Sequence, residues 1–202
     1  MNKLKKPFLI AEIGINHNGS IKLAKKLIDV AVKAKADIVK FQTFTAENLV
    51  IKNAKKADYQ KEKYKRNESQ FEMLKKLELN IEDHKELILY CKSKDIIFLS
   101  SPFDLKSINL LNKLGLKIIK IPSSEITNFS YLGHIGKLKK KVILSTGMAN
   151  MREIADALKV LTDSGTKKKD ITILHANTAY PTPMKDVNLK AMHTIGNKFK
   201  TA

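Results

Sequence analysis

The stretch Leu9–Ser20, LIAEIGINHNGS, begins as a strand-like apolar run and then breaks into glycine, asparagine and histidine. One carboxylate, Glu12, lies inside the apolar run. Short apolar runs bounded by turn-forming residues are typical of buried strands. Ser20 is a good cap for the helix that the next residues predict. The stretch therefore predicts a strand, a polar loop and the start of a helix, which is the first part of a βα unit.

Similar apolar runs recur along the chain and are rich in Ile, Val, Leu and Phe. Each is too short for a helix, so each is interpreted as a strand. The predicted strands are Phe8–Ile13, Asp37–Phe41, Ile96–Leu99, Lys117–Ile121, Lys141–Leu144 and Ile171–Leu174.

Amphipathic stripes with helical spacing separate most of these strands. Ser20, Asp104 and Asn150 are predicted N-caps, and Gly115 and Gly165 are predicted helix ends. A weaker helical pattern covers 129–138. The four clear stripes are Ile21, Ala24, Leu27, Ile28 and Ala31; Leu87, Ile88 and Cys91; Leu105, Ile108, Leu111 and Leu114; and Ile154, Ala157, Leu158 and Leu161.

Six βα-like units predict a parallel sheet, because a strand that returns through a helix pairs in parallel. Polar residues follow every predicted strand, whereas an open doubly wound sheet would concentrate them at one switch point. No GxGxxG or Walker sequence is present. We therefore expect an α/β fold of the (β/α)8 TIM-barrel type, represented here by about six units, with the polar residues around one mouth.

Composition agrees with an ordinary globular protein: 202 residues, 43% hydrophobic and 29% charged. The interrupted N-terminal run lacks the apolar segment of a signal peptide, which favours a cytoplasmic location. The single cysteine, Cys91, falls on a helical apolar stripe, so we expect a buried hydrophobe. The net charge of +18 is nearly all lysine, without the arginine forks and aromatic platforms of nucleic-acid readers. We therefore expect a lysine-rich solvated surface, and neither a nucleic-acid nor a membrane partner.

The strand ends offer a recognisable chemistry. Lys40 and Lys120, with the hydroxyls of Ser101, Ser123 and Ser145, would form a cationic, donor-rich pocket for a phosphorylated or carboxylated small molecule. Carboxylates such as Glu12 and Glu125 can hold sugar hydroxyls or move protons, and His17 and His175 are further acid–base candidates. Each signal alone also fits an ordinary surface residue, turn or core histidine.

Several sequence motifs occur in a distinctive order and spacing. They are AEIGINHNGS at Ala11–Ser20, VKFQT at Val39–Thr43, SSPFD at Ser100–Asp104, KIPSSE at Lys120–Glu125, ILSTGM at Ile143–Met148, LHANTAYPTP at Leu174–Pro183 and DVNLKAM at Asp186–Met192. Together they resemble the motifs of bacterial sialic acid (N-acetylneuraminate) synthases, and the resemblance covers essentially the whole chain. Many relatives have Cys at the position of Ala176 and Thr-Asn where this chain has Asn177-Thr178.

This resemblance implies a carbohydrate-biosynthetic transferase that condenses phosphoenolpyruvate with N-acetylmannosamine or a related amino sugar, releasing phosphate. Glu12 would bind the sugar and Glu125 would handle the attacking water, while Tyr180 would lie near the sugar. The acceptor stays open among sugars of the sialic, legionaminic and pseudaminic type. The residues implied to contact the substrates are Lys40, Gln42, Ser101, Lys120, Ser123, Ser145, Asn177, Thr178 and Tyr180.

The family also implies a divalent metal, Mn or Mg, and a homodimer in its full-length members. Its metal-binding histidines belong to seventh and eighth βα units that this sequence lacks, as it also lacks the family's C-terminal antifreeze-like domain. We therefore expect residues 1–202 to form an incomplete barrel domain without its own metal ligands and with impaired activity.

Two alternative functions are also consistent with the sequence. A Schiff-base aldolase would use Lys40 or Lys120 as its nucleophile, and a non-catalytic basic protein would bind nucleic acid with a steep salt dependence.

The segment Thr45–Leu79 is lysine-rich around Lys52–Lys65 and amphipathic through Glu68–Leu77. It predicts either a lid over the mouth or a decorated surface loop.

Overall fold

A computed structural model describes residues 7–54 and 68–201 of the chain. It divides the chain into two compact units, 1–100 and 101–202. Each unit contains a mixed arrangement of strands and helices that follows the order predicted from the sequence. The α/β class and the parallel strand pairing are thereby confirmed. The described residues form two three-stranded sheets, and the closed barrel stays a prediction.

The first sheet has the strand order β1-β2-β3, with β1 at Ile10–Gly14, β2 at Ile38–Thr43 and β3 at Ile97–Pro102. β1 and β2 are parallel, and Glu12 pairs with Lys40 in their register. The register shifts between Glu12 and Gly14, which marks a bulge where the strand leaves the sheet. The first strand begins at Ile10, two residues later than predicted. The third strand continues beyond its predicted end through Ser100 and Ser101.

The helices of the first unit are α1 at Ile21–Lys33, α2 at Ala46–Leu49, α3 at Gln70–Lys75 and α4 at Ile81–Ser93. Ser20 caps α1 by accepting a hydrogen bond from the backbone N–H of Leu23. The core of this unit brings together one face of α1 and α4 with the strands. It contains the buried residues Ile13, Ala24, Ile28, Ala31, Val39, Phe41, Leu79, Leu87, Cys91 and Ile96.

The second sheet has the order β4-β5-β6, with β4 at Ile118–Ile121, β5 at Lys141–Ser145 and β6 at Ile171–Leu174. Both strand pairs are parallel. The helices of this unit are α5 at Leu105–Lys113, α6 at Phe129–Lys137, α7 at Met151–Asp163 and α8 at Ala191–Phe199. The weaker helical prediction over 129–138 is thus confirmed, and so is the apolar stripe of α7, which is buried.

Several helices end through a residue in the left-handed region. The two predicted glycines do so, with φ of +82° at Gly115 and +125° at Gly165. Lys35 after α1, Asp95 after α4 and Lys139 after α6 adopt the same kind of conformation with φ between 52° and 59°. Residues with a Cβ are strained there. Lys200 ends α8 in the same way, with φ of 49°. The sequence therefore indicated the two glycine helix ends and gave no signal for the four others.

Two long polar segments connect a strand to a later helix, one between β2 and α4 and one between β6 and α8. Between β2 and α4, the backbone N–H of Ala46 donates to Glu78 at 2.6 Å, and Lys75 bridges Glu47 and Glu78 at 2.9 Å each. These contacts hold the two ends of the Thr45–Leu79 segment together. The amphipathic part of that segment is confirmed by α3, in which Met73 and Leu74 are buried. Most of the lysine-rich run at Lys52–Lys65 lies outside the described residues, so the lid stays a prediction.

Between β6 and α8, the chain runs through a short 3-10 turn at Met184–Asp186 with many exposed side chains. No helix in the part of the chain that the structure describes is long and apolar enough to cross a membrane.

Candidate functional site

The first unit places a cation and a carboxylate side by side within neighbouring strands, and not after the strand ends as the sequence predicted. The Nζ of Lys40 lies 2.8 Å from Oε2 of Glu12, as the strand register predicts. The lysine side chain is only 6% exposed, whereas that of Glu12 is 62% exposed. A buried lysine requires compensation of its charge. Glu12 supplies that compensation and also presents its carboxylate to solvent.

Gln42 lies near this pair. A Cβ added at Gly14, where β1 ends, would be 3.7 Å from the amide nitrogen of Gln42. Gly14 has φ of +56°, which allows the chain to turn directly after the strand. The structure thus brings Glu12, Lys40 and Gln42, all predicted from the sequence, to the same end of the β1–β2 pair.

A buried network of hydrogen bonds that the sequence did not predict joins His84, Thr43 and Ser100. Nδ1 of His84 is 2.8 Å from the carbonyl oxygen of Asn80, and its Nε2 is 2.8 Å from Oγ1 of Thr43. Thr43 in turn lies 2.7 Å from Oγ of Ser100. Burial is the main cause that lowers the pKa of His84 below its usual value, so the ring is neutral near pH 7.

Because the ring of His84 is neutral, the donor and the acceptor of each hydrogen bond in this network can be assigned. Nδ1–H of His84 donates to Asn80, which leaves Nε2 as an acceptor for the hydroxyl of Thr43. Thr43 then accepts the hydroxyl proton of Ser100. His84 falls one helical turn before Leu87 on the predicted apolar stripe, and this spacing was the available signal for its burial.

His17 is fully buried and does not lie at an exposed mouth. Its Nδ1 accepts a hydrogen bond from the backbone N–H of Gly19 at 3.1 Å, and its ring packs against Phe41. Its Nε2 has no hydrogen-bond partner within residues 7–54 and 68–201. Burial is again the largest cause lowering its pKa. The structure therefore favours a role for His17 in shaping the β1–α1 loop over the acid–base role suggested by the sequence.

In the second unit the ends of β4, β5 and β6 meet. The backbone N–H of Gly147, after β5, donates to Oγ of Ser123, after β4, at 3.0 Å. A Cβ at Gly147 would lie 2.7 Å from Cγ2 of Thr178, after β6. Thr146 ties the same strand ends together, because its backbone N–H and its hydroxyl both donate to the carbonyl of Leu174. The predicted convergence of polar residues is therefore observed within this unit.

The other predicted residues of the second unit have different environments. Ser101 and Ser145 are buried in β3 and β5, and Lys120 is half-buried in β4. Glu125 is half-buried and accepts a hydrogen bond from Nδ2 of Asn128 at 2.8 Å, which fixes one of its oxygens.

The residues after β6 are less enclosed. Oδ1 of Asn177 accepts the backbone N–H of Ala179 at 2.8 Å, so part of its amide serves the loop. Tyr180 is 80% exposed. His175 is half-exposed. It lines a cavity of about 420 Å³ together with Thr146, Met151, Asn188, Lys190 and residues of α8.

The donor residues of the described chain do not match the metal that the resemblance implies. Within 7–54 and 68–201, no group of three or more His, Cys, Asp and Glu side chains is arranged to hold a metal ion. These residues therefore do not account for the expected Mn or Mg, whose presence stays a prediction.

Comparison with known proteins identifies relatives over nearly the full chain. The NeuB family matches residues 27–202. The N,N'-diacetyllegionaminic acid synthase of Campylobacter jejuni is 56% identical over 98% of this chain, and that of Legionella pneumophila is 46% identical over 96%. The N-acetylneuraminic acid synthetase of Leptospira borgpetersenii superimposes with a TM-score of 0.81 at 30% identity, covering 98% of this chain and 65% of that one. The chain spans 59% and 55% of the two curated relatives' lengths.

Proposed function

The chain belongs to the NeuB family, and we propose that it acts in the condensation of phosphoenolpyruvate with an N-acetylated amino sugar to give a nonulosonic acid and phosphate. The observation that carries this proposal is the ion pair between buried Lys40 and exposed Glu12. A reaction that joins an acidic, phosphorylated molecule to a polyhydroxylated sugar needs both a cation and a hydrogen-bond-accepting carboxylate. The strand register presents the two side by side.

The reaction has a defined atom balance. C3 of phosphoenolpyruvate forms a bond to the aldehyde carbon of the open-chain sugar, water adds at C2, and phosphate leaves from that carbon. Lys40 and Lys120 are assigned to neutralise the acidic groups of phosphoenolpyruvate, and the hydroxyls of Ser101, Ser123 and Ser145 to donate to its oxygens. Preformed donors of this kind stabilise charge without reorganisation.

The carboxylates and the remaining contacts have separate roles in the proposal. Glu12 accepts hydrogen bonds from sugar hydroxyls, with Gln42 and Tyr180 as further sugar contacts. Glu125 takes the proton of the attacking water. Asn177 and Thr178 are assigned to phosphoenolpyruvate. No step is assigned to a metal ion, because the described residues do not form a site for one.

The names of two relatives support a choice of product class. Both are N,N'-diacetyllegionaminic acid synthases, so their product carries two acetamido groups. We propose the same class of product here, which requires an acceptor sugar with two acetamido groups. We further propose that the six βα units belong to a (β/α)8 barrel, and that the protein acts as a homodimer in the cytoplasm.

The direct test combines phosphate release with product mass. The purified protein is incubated with phosphoenolpyruvate and either N-acetylmannosamine or a diacetamido hexose, with Mn²⁺ present or removed by EDTA. The expected result is phosphate release matched by a product whose mass equals both substrates plus water minus phosphoric acid, with the diacetamido sugar preferred. Absence of product with both sugars, together with absence of phosphoenolpyruvate binding by calorimetry, would overturn the proposal.

A Schiff-base aldolase is distinguished by the same preparation. The Nζ of Lys40 is engaged by a carboxylate, whereas a Schiff-base lysine attacks as a neutral amine. We expect borohydride treatment with phosphoenolpyruvate or the sugar to leave the protein mass unchanged. A reduced adduct on Lys40 or Lys120 would contradict the condensation mechanism.

A further inference from the structure

A side chain at Gly147 would force its neighbours to move. A Cβ at this position would lie 2.7 Å from Cγ2 of Thr178, 3.0 Å from Oγ of Ser123 and 3.4 Å from Cβ of Ser123. Separations below about 3.0 Å between such atoms are prohibitively short for packed side chains. The loops after β4 and β6 therefore pack directly against the backbone of the loop after β5.

Backbone conformation does not explain the glycine. Gly147 is not among the glycines with positive φ, whereas its neighbour Met148 has φ of +64°. Glycine would relieve strain at 148, yet the chain places methionine there, and that side chain is 80% exposed. The glycine at 147 thus serves close approach of its neighbours and not flexibility of the loop.

The close approach makes a specific hydrogen bond possible. The N–H of Gly147 donates to Oγ of Ser123 at 3.0 Å. A serine hydroxyl has one proton and two acceptor positions. With one acceptor position filled by a fixed N–H, the hydroxyl proton of Ser123 is directed to a different partner. The methyl group of Thr178 is the part that faces Gly147, so a Cβ there would meet Thr178 as well as Ser123.

We propose that Gly147 is a positioning residue that holds Ser123 as a hydrogen-bond donor to an oxygen of an anionic substrate, either a phosphate or a carboxylate. This inference rests on the proposed function, in which Ser123 contacts phosphoenolpyruvate. A donor held in place before binding loses little freedom when the anion arrives. Gly147 acts only through Ser123 and does not itself touch the substrate.

The test is a double-mutant cycle read as phosphoenolpyruvate affinity by calorimetry on the full chain. Gly147→Ala retains the N–H but displaces Ser123, and is expected to weaken binding about tenfold or more, comparably to Ser123→Ala. In the Ser123→Ala background, Gly147→Ala should have little additional effect, because the group it positions is gone. Equal effects of Gly147→Ala in both backgrounds would overturn the inference.

Three further variants make the result decisive. Gly196→Ala is the matched control, because a Cβ at this helical glycine meets nothing within 4 Å, and its affinity should equal that of wild type. If Gly147→Ala does not fold, Gly147→Ala with Thr178→Ser removes the nearest clashing methyl and is compared with Thr178→Ser alone. Unchanged affinity between those two would also overturn the inference.

The outcomes distinguish a failure of the proposed function from a failure of the positioning role of Gly147. A wild-type chain that does not bind phosphoenolpyruvate would contradict the proposed function itself, and with it the role of Gly147. A wild-type chain that binds, with Gly147→Ala indistinguishable from Gly196→Ala, would contradict only the positioning role.

Discussion

At the scale of single residues, the ion pair of Lys40 and Glu12 defines the clearest prediction. Under the proposed function, Lys40→Met removes a cation that faces phosphoenolpyruvate, and a hydrogen bond to a charged group contributes roughly 1.5–3 kcal/mol. The KM for phosphoenolpyruvate should therefore rise at least about tenfold, whereas Glu12→Gln should chiefly raise the KM for the sugar. Steady-state kinetics with each substrate varied in turn measures both.

The control for this pair is an exposed lysine with the same charge. Lys22→Met, on the solvent face of α1, removes one positive charge without touching the pair and should leave both KM values unchanged. Equal effects of Lys40→Met and Lys22→Met would show that only net charge matters. A rise in both KM values by the same factor in each pair variant would contradict the division of roles.

Cys91 provides a second prediction at this scale. The thiol is 1% exposed, and burial raises its pKa to about 12. At pH 8 its thiolate fraction is therefore on the order of a thousandfold below that of an ordinary cysteine, and the thiolate is the reactive form. Iodoacetamide should label the native protein very slowly and the urea-unfolded protein rapidly, as followed by mass spectrometry.

Because the sequence contains one cysteine, every label reports on this site, and Cys91→Ser serves as the blank. Labelling of native protein at a rate close to that of unfolded protein would contradict the burial of Cys91 in the first unit.

At the scale of elements, the N-terminus of α7 shows how directly local sequence determines structure. Oδ1 of Asn150 accepts the backbone N–H groups of Arg152 and Glu153, and Oε2 of Glu153 accepts that of Asn150 at 2.8 Å. Asn150→Ala removes one half of this capping box and should lower the free energy of unfolding by about 1 kcal/mol. Urea unfolding without substrate measures the difference.

Asn150→Asp is the matched control, since aspartate caps a helix about as well as asparagine. Its stability should lie within a few tenths of a kcal/mol of wild type. Indistinguishable stabilities of the Ala and Asp variants would show that the cap contributes nothing to the folded state.

The elements also show where prediction from sequence succeeds. Caps, apolar stripes and short Ile- and Val-rich runs depend on neighbouring residues, so Ser20, Asp104 and Asn150 were identified as caps and are observed as such. The third strand was predicted too short because Ser100 and Ser101 look like turn residues. Both are buried in β3, where Ser100 hydrogen-bonds to Thr43.

The parts of the site that sequence reasoning missed depend on contacts between distant residues. Nothing local in the sequence pairs His84 with Thr43, which lies 41 positions earlier. The closeness of Gly147 to Ser123 and Thr178 likewise depends on three strand ends meeting. Position after predicted strands and resemblance to a family selected the residues, whereas only the structure shows which of them share hydrogen bonds.

At the scale of the whole molecule, stability should depend on pH through the two buried histidines. The pKa values of His17 and His84 are lowered from 6.5, with burial as the main cause. The unfolded chain therefore binds more protons than the folded one below about pH 6.5. The contribution of these two histidines to the free energy of unfolding is therefore fully present above about pH 6.5. It should decrease as the pH falls, by up to about 1.4 kcal/mol per pH unit for each histidine.

Urea unfolding between pH 7.5 and 5.5 measures this dependence in a range where ordinary carboxylates stay ionised. His17→Gln and His84→Gln should each reduce the slope, whatever their effect on stability at neutral pH. A flat stability profile in the wild-type protein would contradict the neutral, buried state of both rings.

The left-handed helix ends at Lys35 and Lys139 have a consequence for the protein's capacity to tolerate heat. Each lysine occupies a position where glycine would remove about 1 kcal/mol of backbone strain. Each also contributes to a net charge of +18, and high net charge opposes aggregation. Selection for thermal tolerance would therefore replace these lysines with glycine or asparagine and sacrifice some solubility, so the two properties compete at the same few positions.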